Sequence, residues 1–141
     1  MEIVKQQIKW EEINLLVENL ANKIESSNLL VREIYGLPRG GLIPAVMLSH
    51  IMKIPMSKGT ITSNTLIVDD ICDSGVTFQN IFNIHQTEYA FPFYVKTACL
   101  HYKPHTSVFE PRFYASEWSS DDWIVYPWER EDAKAIQDYK V

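Results

Sequence analysis

The chain is short of positive charge, of cysteine and of long apolar runs. Its 13 lysines and arginines face 18 aspartates and glutamates, for a net charge of −5. A nucleic-acid binder normally shows a basic face to neutralise phosphates, so this balance argues against one, and a small anionic ligand would need local help. Cys72 and Cys99 are a single pair without metal-ligand spacing. They read as two buried thiols in a reduced compartment rather than as a disulfide framework. No apolar run approaches the roughly 20 residues needed to cross a bilayer, and the amino terminus, with Glu2 and Lys5, lacks a signal-peptide core. A cytoplasmic location is expected. His50, His85, His101 and His105 show no metal-ligand arrangement and receive no role.

What is present suits one ordered domain. The chain has 141 residues, 46% hydrophobic and 22% charged, without internal repeat or linker. Trp10, Ile13, Leu16, Val17, Leu20, Ala21 and Ile24 recur at helical spacing and predict an opening helix. Leu29 to Tyr35 reads as a strand that runs into the glycine-rich turn Gly36 to Gly41. An apolar helix over Leu42 to Ile51 follows, with Pro44 tolerated in its first turn. Thr65 to Val68 suits a strand buried on both faces, Gly75 to His85 a helix, and Phe93 to His101 a further strand. This alternation predicts an α/β fold with a mostly parallel sheet flanked by helices, and a ligand beyond the carboxyl ends of the strands. Phe113 to Trp118 and Trp123 to Trp128 are aromatic and read as a lid or flank. The division expected is a core over about residues 1–110 and a small aromatic hood over about 111–141, with a charged, helical or frayed tail from Glu129.

The chemistry concentrates in TLIVDDICDSGVT, Thr65 to Thr77, where a buried strand delivers two adjacent carboxylates into a loop that ends at a helix amino terminus. Free N–H groups at Ser74, Gly75, Val76 and Thr77, with the Ser74 and Thr77 hydroxyls, suit a phosphate at the positive end of the helix dipole. Gly75 permits close approach of the backbone. Asp69 and Asp70 suit either hydrogen bonds from two vicinal hydroxyls or a hard cation held through oxygen. A bare Asp-Asp pair is more often a solvated turn, but the hydrophobic strand before it and Asp73, Ser74, Gly75 and Thr77 after it make the combination far rarer than its parts.

This segment resembles the phosphoribosyl pyrophosphate (PRPP) signature of type I phosphoribosyltransferases. The resemblance implies that Asp69 and Asp70 meet the ribose hydroxyls and Mg2+, that Asp73 to Thr77 bind the 5-phosphate, and that Asp73 also lies near N7 of the base and manages a proton. YGLPRGGLIPA, Tyr35 to Ala45, is similar to the family's pyrophosphate loop, with Arg39 and Gly40 at the leaving group. Pro38 stands where relatives often carry serine. Lys103 and Pro104 after a strand, then DDWIVYPWE from Asp121 to Glu129, resemble the bacterial xanthine-guanine phosphoribosyltransferases, as does the opening Ile8 to Ile24. By that resemblance Lys103 contacts the oxygen at C6 of the purine, Trp123 stacks on it and the Ile124 backbone bonds to its edge.

The function implied is transfer of the 5-phosphoribosyl group of PRPP to guanine, xanthine or hypoxanthine, with Mg2+, pyrophosphate release and a nucleoside monophosphate product, by a homodimer or homotetramer. Asp69, Asp70, Asp73 and Arg39 carry the catalysis in this reading. One departure stands out: only Lys53 to Asn64 precedes the signature strand, where the family inserts a long flexible loop that closes over the site, so a shallower, more exposed site is expected. That departure is the best support for an alternative, a regulator that keeps the fold and senses PRPP or a nucleotide without catalysis. An aspartyl phosphatase fits less well because its two acids flank one residue, and no P-loop ending is present.

Overall fold

The computed structural model describes residues 3–87 and 93–130. In chain order the elements are β1 (Lys5–Gln7), α1 (Trp10–Ser26), β2 (Glu33–Gly36), α2 (Leu42–Met52), β3 (Thr65–Cys72), α3 (Val76–Thr87), β4 (Lys96–Tyr102), β5 (Phe113–Glu117) and β6 (Trp123–Val125). The fold is α/β, as the alternation of helical and strand patterns predicts. The charged tail expected from Glu129 falls largely on 131–141, outside the described residues.

The main sheet has the order β2-β3-β4-β5, and all its pairings are parallel. Its strands alternate their side chains between two cores. Leu66, Val68, Ala98 and Leu100 pack with Ile13, Val17, Leu20 and Ile24 of α1 and with Ala45 and Leu48 of α2. Ile67, Cys72 and Cys99 pack on the other face with Phe78 of α3. This two-sided burial explains why β3 opens as an unbroken apolar run. The predicted face of α1 is buried at Ile13, Val17, Leu20, Ala21 and Ile24, whereas Trp10 at the helix start stays half exposed and meets the Trp128 ring, centroids 5.9 Å apart. Pro44 lies in the first turn of α2, and the helix ends where Lys53 adopts a left-handed conformation (φ 57°) and donates its N–H to the Ser49 carbonyl.

Three expectations need correction. First, β3 does not stop at Val68 but continues to Cys72, so the acid pair is part of the strand and not of the loop. Second, the aromatic flank is divided. Phe113–Glu117 is a strand of the main sheet, with Phe113 and Ala115 in the core, because its alternate residues face α1; the core therefore runs past residue 110. Third, the β6 portion of the flank pairs in parallel with β1, a strand the sequence did not announce because Lys5, Gln6 and Gln7 are polar and exposed. The Gln6 amide reinforces that pairing by donating to Asp122 Oδ2 at 2.8 Å.

The connection Lys53 to Asn64 is short and stays low on the sheet. Ile34 of β2 takes a hydrogen bond from Ser57 N–H at 2.7 Å and gives one to the Pro55 carbonyl at 3.0 Å. The chain then returns directly, and the Asn64 carbonyl accepts from Arg32 N–H at 2.8 Å, beside the start of β3. These contacts hold both ends of the segment toward the amino ends of β2 and β3, at the opposite end of the strands from Asp69 and Asp70.

Candidate active site

The acid pair is set at the carboxyl end of β3, where the regular ladder falters. The register with β4 pairs Asp69 with Cys99 and Ile71 with His101 but passes over Asp70. Val68 and Ile71 both pack against the α1 and α2 core, so the two-residue alternation breaks once across the acids. Local bonds replace the missing ladder. Asp70 N–H donates to Asp69 Oδ1 at 2.9 Å, and Ile71 N–H donates to Asp70 Oδ1 at 2.8 Å.

Both carboxyls titrate above the usual carboxylate range. Burial is the main cause for each, and the Asp70 charge next to Asp69 raises that group further. Two acids that resist ionisation side by side have a standing demand for a positive partner. As two hard oxygen donors they suit Mg2+, which keeps several waters and takes its remaining ligands from a phosphorylated substrate. No cluster of three or more His, Cys, Asp and Glu side chains that would make an all-protein cage exists among the described residues.

The turn after β2 lies directly against this pair. Leu37 N–H donates to the Val68 carbonyl and Gly41 N–H to the Leu37 carbonyl, both at 2.9 Å, and the Pro38–Arg39 peptide bond is cis. Any side chain at Gly40 would run into the Asp70 carboxylate, so glycine is what lets the turn reach the acids. Arg39, exposed, is carried on the same turn.

Beyond β3 the chain turns through Asp73, Ser74 and Gly75 into α3. Gly75 has φ +78°, a conformation that side chains disfavour, and its open face is closed by Ser107 and Phe109. Val108 N–H donates to the Ser74 carbonyl at 2.8 Å, so the segment after β4 braces this loop from behind. At the amino terminus of α3, Val76 N–H donates to Ser74 Oγ at 3.3 Å; the positive end of a helix dipole is a place that suits an anion.

The same brace brings Lys103 to Asp73, 30 positions earlier. Lys103, only 8% exposed, lies with Nζ 3.6 Å from Asp73 Oδ2. The Thr106 hydroxyl holds Asp73 in place, 2.9 Å from both its Oδ1 and its carbonyl. Trp123 and Ile124 lie in β6, joined to this loop by His105 Nε2 and Asp121 Oδ1 at 3.0 Å. Trp123 N–H donates to Val4 and Ile8 N–H donates to Val125, so residues 123 and 125 face β1. Ile124, between them, therefore turns its N–H and C=O to the opposite edge of the strand.

Sequence reasoning missed Tyr126. Its hydroxyl donates to the Asp70 carbonyl at 3.2 Å and contacts His101 Nδ1 at 2.8 Å. A tyrosine inside an aromatic run carries no local signal that its partner lies 56 positions away.

The parallel sheet, which gathers an acid pair, a glycine-arginine turn and the amino terminus of α3 at its strand ends, has the type I phosphoribosyltransferase fold. The named relatives are purine phosphoribosyltransferases. The xanthine-guanine phosphoribosyltransferase of Gluconobacter oxydans is 27% identical over 86% of this chain and 83% of its own length. The structure of a purine phosphoribosyltransferase from Pyrococcus horikoshii superposes with a TM-score of 0.74, at 28% identity over 94% of this chain and 99% of that one. The xanthine-guanine-hypoxanthine phosphoribosyltransferase of Helicobacter pylori shares the fold, TM-score 0.74, at 17% identity over 89% of this chain and 94% of that one. No protein-family model matches the chain.

Proposed function

We propose that this protein transfers the 5-phosphoribosyl group of PRPP to an oxo-purine, guanine, xanthine or hypoxanthine, and releases pyrophosphate, as in purine salvage. The observation that carries this reading is the half-buried acid pair at the carboxyl end of β3, flanked on one side by the Arg39–Gly40 turn and on the other by the Asp73–Lys103 pair.

In the reaction the bond from ribose C1 to pyrophosphate breaks and a bond from C1 to a ring nitrogen of the base forms. Positive charge builds on the sugar meanwhile, so charge placement is the catalytic task. Asp69 and Asp70 face the ribose hydroxyls and lend negative charge to the electron-poor ring. Arg39 and the Gly40 backbone take the departing pyrophosphate. The N–H groups of Ser74 to Thr77, with Asp73 at the start of the loop, hold the 5-phosphate. Asp73 receives the proton that the base gives up, with Lys103 beside it to donate toward the C6 oxygen. A buried lysine donor selects an oxo-purine over adenine, because adenine would leave it facing an amino group. Trp123 supplies a flat face for the purine, and the outward edge of Ile124 supplies backbone bonds. Asp69 and Asp70 would hold Mg2+, which when bound neutralises the charge of the leaving pyrophosphate.

The reading includes a cytoplasmic setting, and among the described residues no helix is long and apolar enough to cross a membrane. It also includes a homodimer or homotetramer. The support is α2, apolar except at Ser49 and His50 yet exposed at Leu42, Val46 and Ile51.

The test is an assay with Mg2+, PRPP and each base separately, adenine and a pyrimidine included, following nucleotide and pyrophosphate together. Nucleotide from the oxo-purines alone is the expected result. PRPP binding without product from any base would replace this reading with that of a regulatory protein of the same fold.

A further inference from the structure

The N–H and the carbonyl of Asp70 are both held by side chains. The β3–β4 register skips it, its N–H goes to Asp69 Oδ1, and its carbonyl accepts from the hydroxyl of Tyr126. Tyr126 comes from the turn after β6, in the part of the molecule that carries Trp123 and Ile124. It is 2% exposed and held on every side. Its ring stacks on Trp128 with centroids 4.8 Å apart and planes 2° from parallel. Its N–H donates to Glu129 Oε1 and its carbonyl accepts from Glu129 N–H, both at 2.9 Å. A hydroxyl has one proton and the Asp70 carbonyl can only accept; when the hydroxyl donates there, His101 in its Nδ1–H tautomer supplies the hydrogen of the 2.8 Å contact. The His101 ring is locked in turn by the edge of Trp118, 5.4 Å away. The chain of donors runs in one direction, from the β4 histidine through the tyrosine into the backbone of an acid that faces the substrate.

We infer that Tyr126 is a positioning residue for PRPP: its hydroxyl, itself oriented by His101, sets the backbone of Asp70 and so aims the acid pair. The inference rests on the proposed transferase reading. Without the hydroxyl the Asp70 carbonyl would be left without that partner at a place where the ladder does not reach, and the strand end would relax. The loss should fall on the ribose and pyrophosphate side, because the base-side groups Lys103 and Ile124 take their positions from other bonds.

The test compares Tyr126→Phe with Trp128→Phe in the full chain. Tyr126→Phe removes one oxygen and keeps the ring; Trp128→Phe disturbs the stack and keeps the hydroxyl. PRPP affinity by calorimetry should fall about tenfold in Tyr126→Phe, with the KM for base changed less than about twofold. In Trp128→Phe the melting temperature should drop while PRPP affinity stays within about twofold. Amide exchange should quicken in Tyr126→Phe at Asp70, Ile71 and Cys72 but not at Leu66 to Val68. Unchanged PRPP affinity in Tyr126→Phe, or an equal loss in both variants, would overturn the inference. Should the wild-type protein bind no PRPP, the transferase reading fails, and amide exchange alone decides whether the hydroxyl holds the strand end.

Discussion

Asp69 and Asp70 are held where ionisation is unfavourable, and this has a consequence for stability as well as for catalysis. Their folded pKa values lie above the unfolded ones, so the folded protein binds more protons than the unfolded chain across that interval. Stability is therefore fully present below the ordinary carboxylate range and is lost as pH rises through the raised values. Asp69→Asn should raise the melting temperature at neutral pH and abolish nucleotide formation, a trade measurable by calorimetry and assay on one preparation. For the proposed ligands the sign reverses, since in that reading it is the ionised pair that would hold Mg2+ and PRPP. The KM for PRPP should climb on acidification at a pH above that of ordinary carboxylates. Gly40 permits a sharper test: a methyl group there would run into the Asp70 carboxylate. Gly40→Ala should weaken PRPP binding by about tenfold or more in titration calorimetry, with circular dichroism unchanged.

Between elements, the joint that matters most is the one from β4 to the turn after β6. His101 is buried there, and desolvation lowers its pKa from 6.5 to about 4. With its folded pKa below the unfolded value, His101 contributes stability that is present above pH 6.5 and is lost as pH falls toward 4. His101→Gln should flatten that part of the profile, and comparing the two denaturation curves separates this contribution from the opposite slope of the acid pair. The elements were unequally legible in the sequence. Thr65 to Thr77 could be read because strand, acids, loop and helix start follow one another without a gap, so local chemistry and local structure coincide. Phe113–Glu117 was harder: its aromatic residues suggested a flank, and only the pairing with β4 shows which side chains face α1. β1 gave no pattern at all, since its three residues are exposed and polar and pair with β6, a distant part of the sequence. Lys103 and Asp73 are each marked out in sequence by the resemblance, but that the two meet, 3.6 Å apart, has no local signal and is visible only through the turn that joins them.

For the molecule as a whole, the short return from Ser57 to Asn64 leaves the carboxyl ends of the strands without cover from that segment. A site open to water should leak. Pyrophosphate release from PRPP in the absence of base should be measurable with the wild-type protein, and a rate indistinguishable from buffer would show that another part of the molecule, or another subunit, shields the site. The same return has a second effect, at the margin of the sheet. Pro55 and Ser57 occupy the N–H and C=O of Ile34 on β2, while Lys23 of α1 reaches across to the carbonyls of Tyr114 and Ala115 on β5, at 2.7 and 3.3 Å. The terminal strand at each end is thus partly engaged by its own chain. A passing strand therefore finds less open backbone to zip onto at these two borders, and growth of the main sheet into a continuous intermolecular ribbon is disfavoured there.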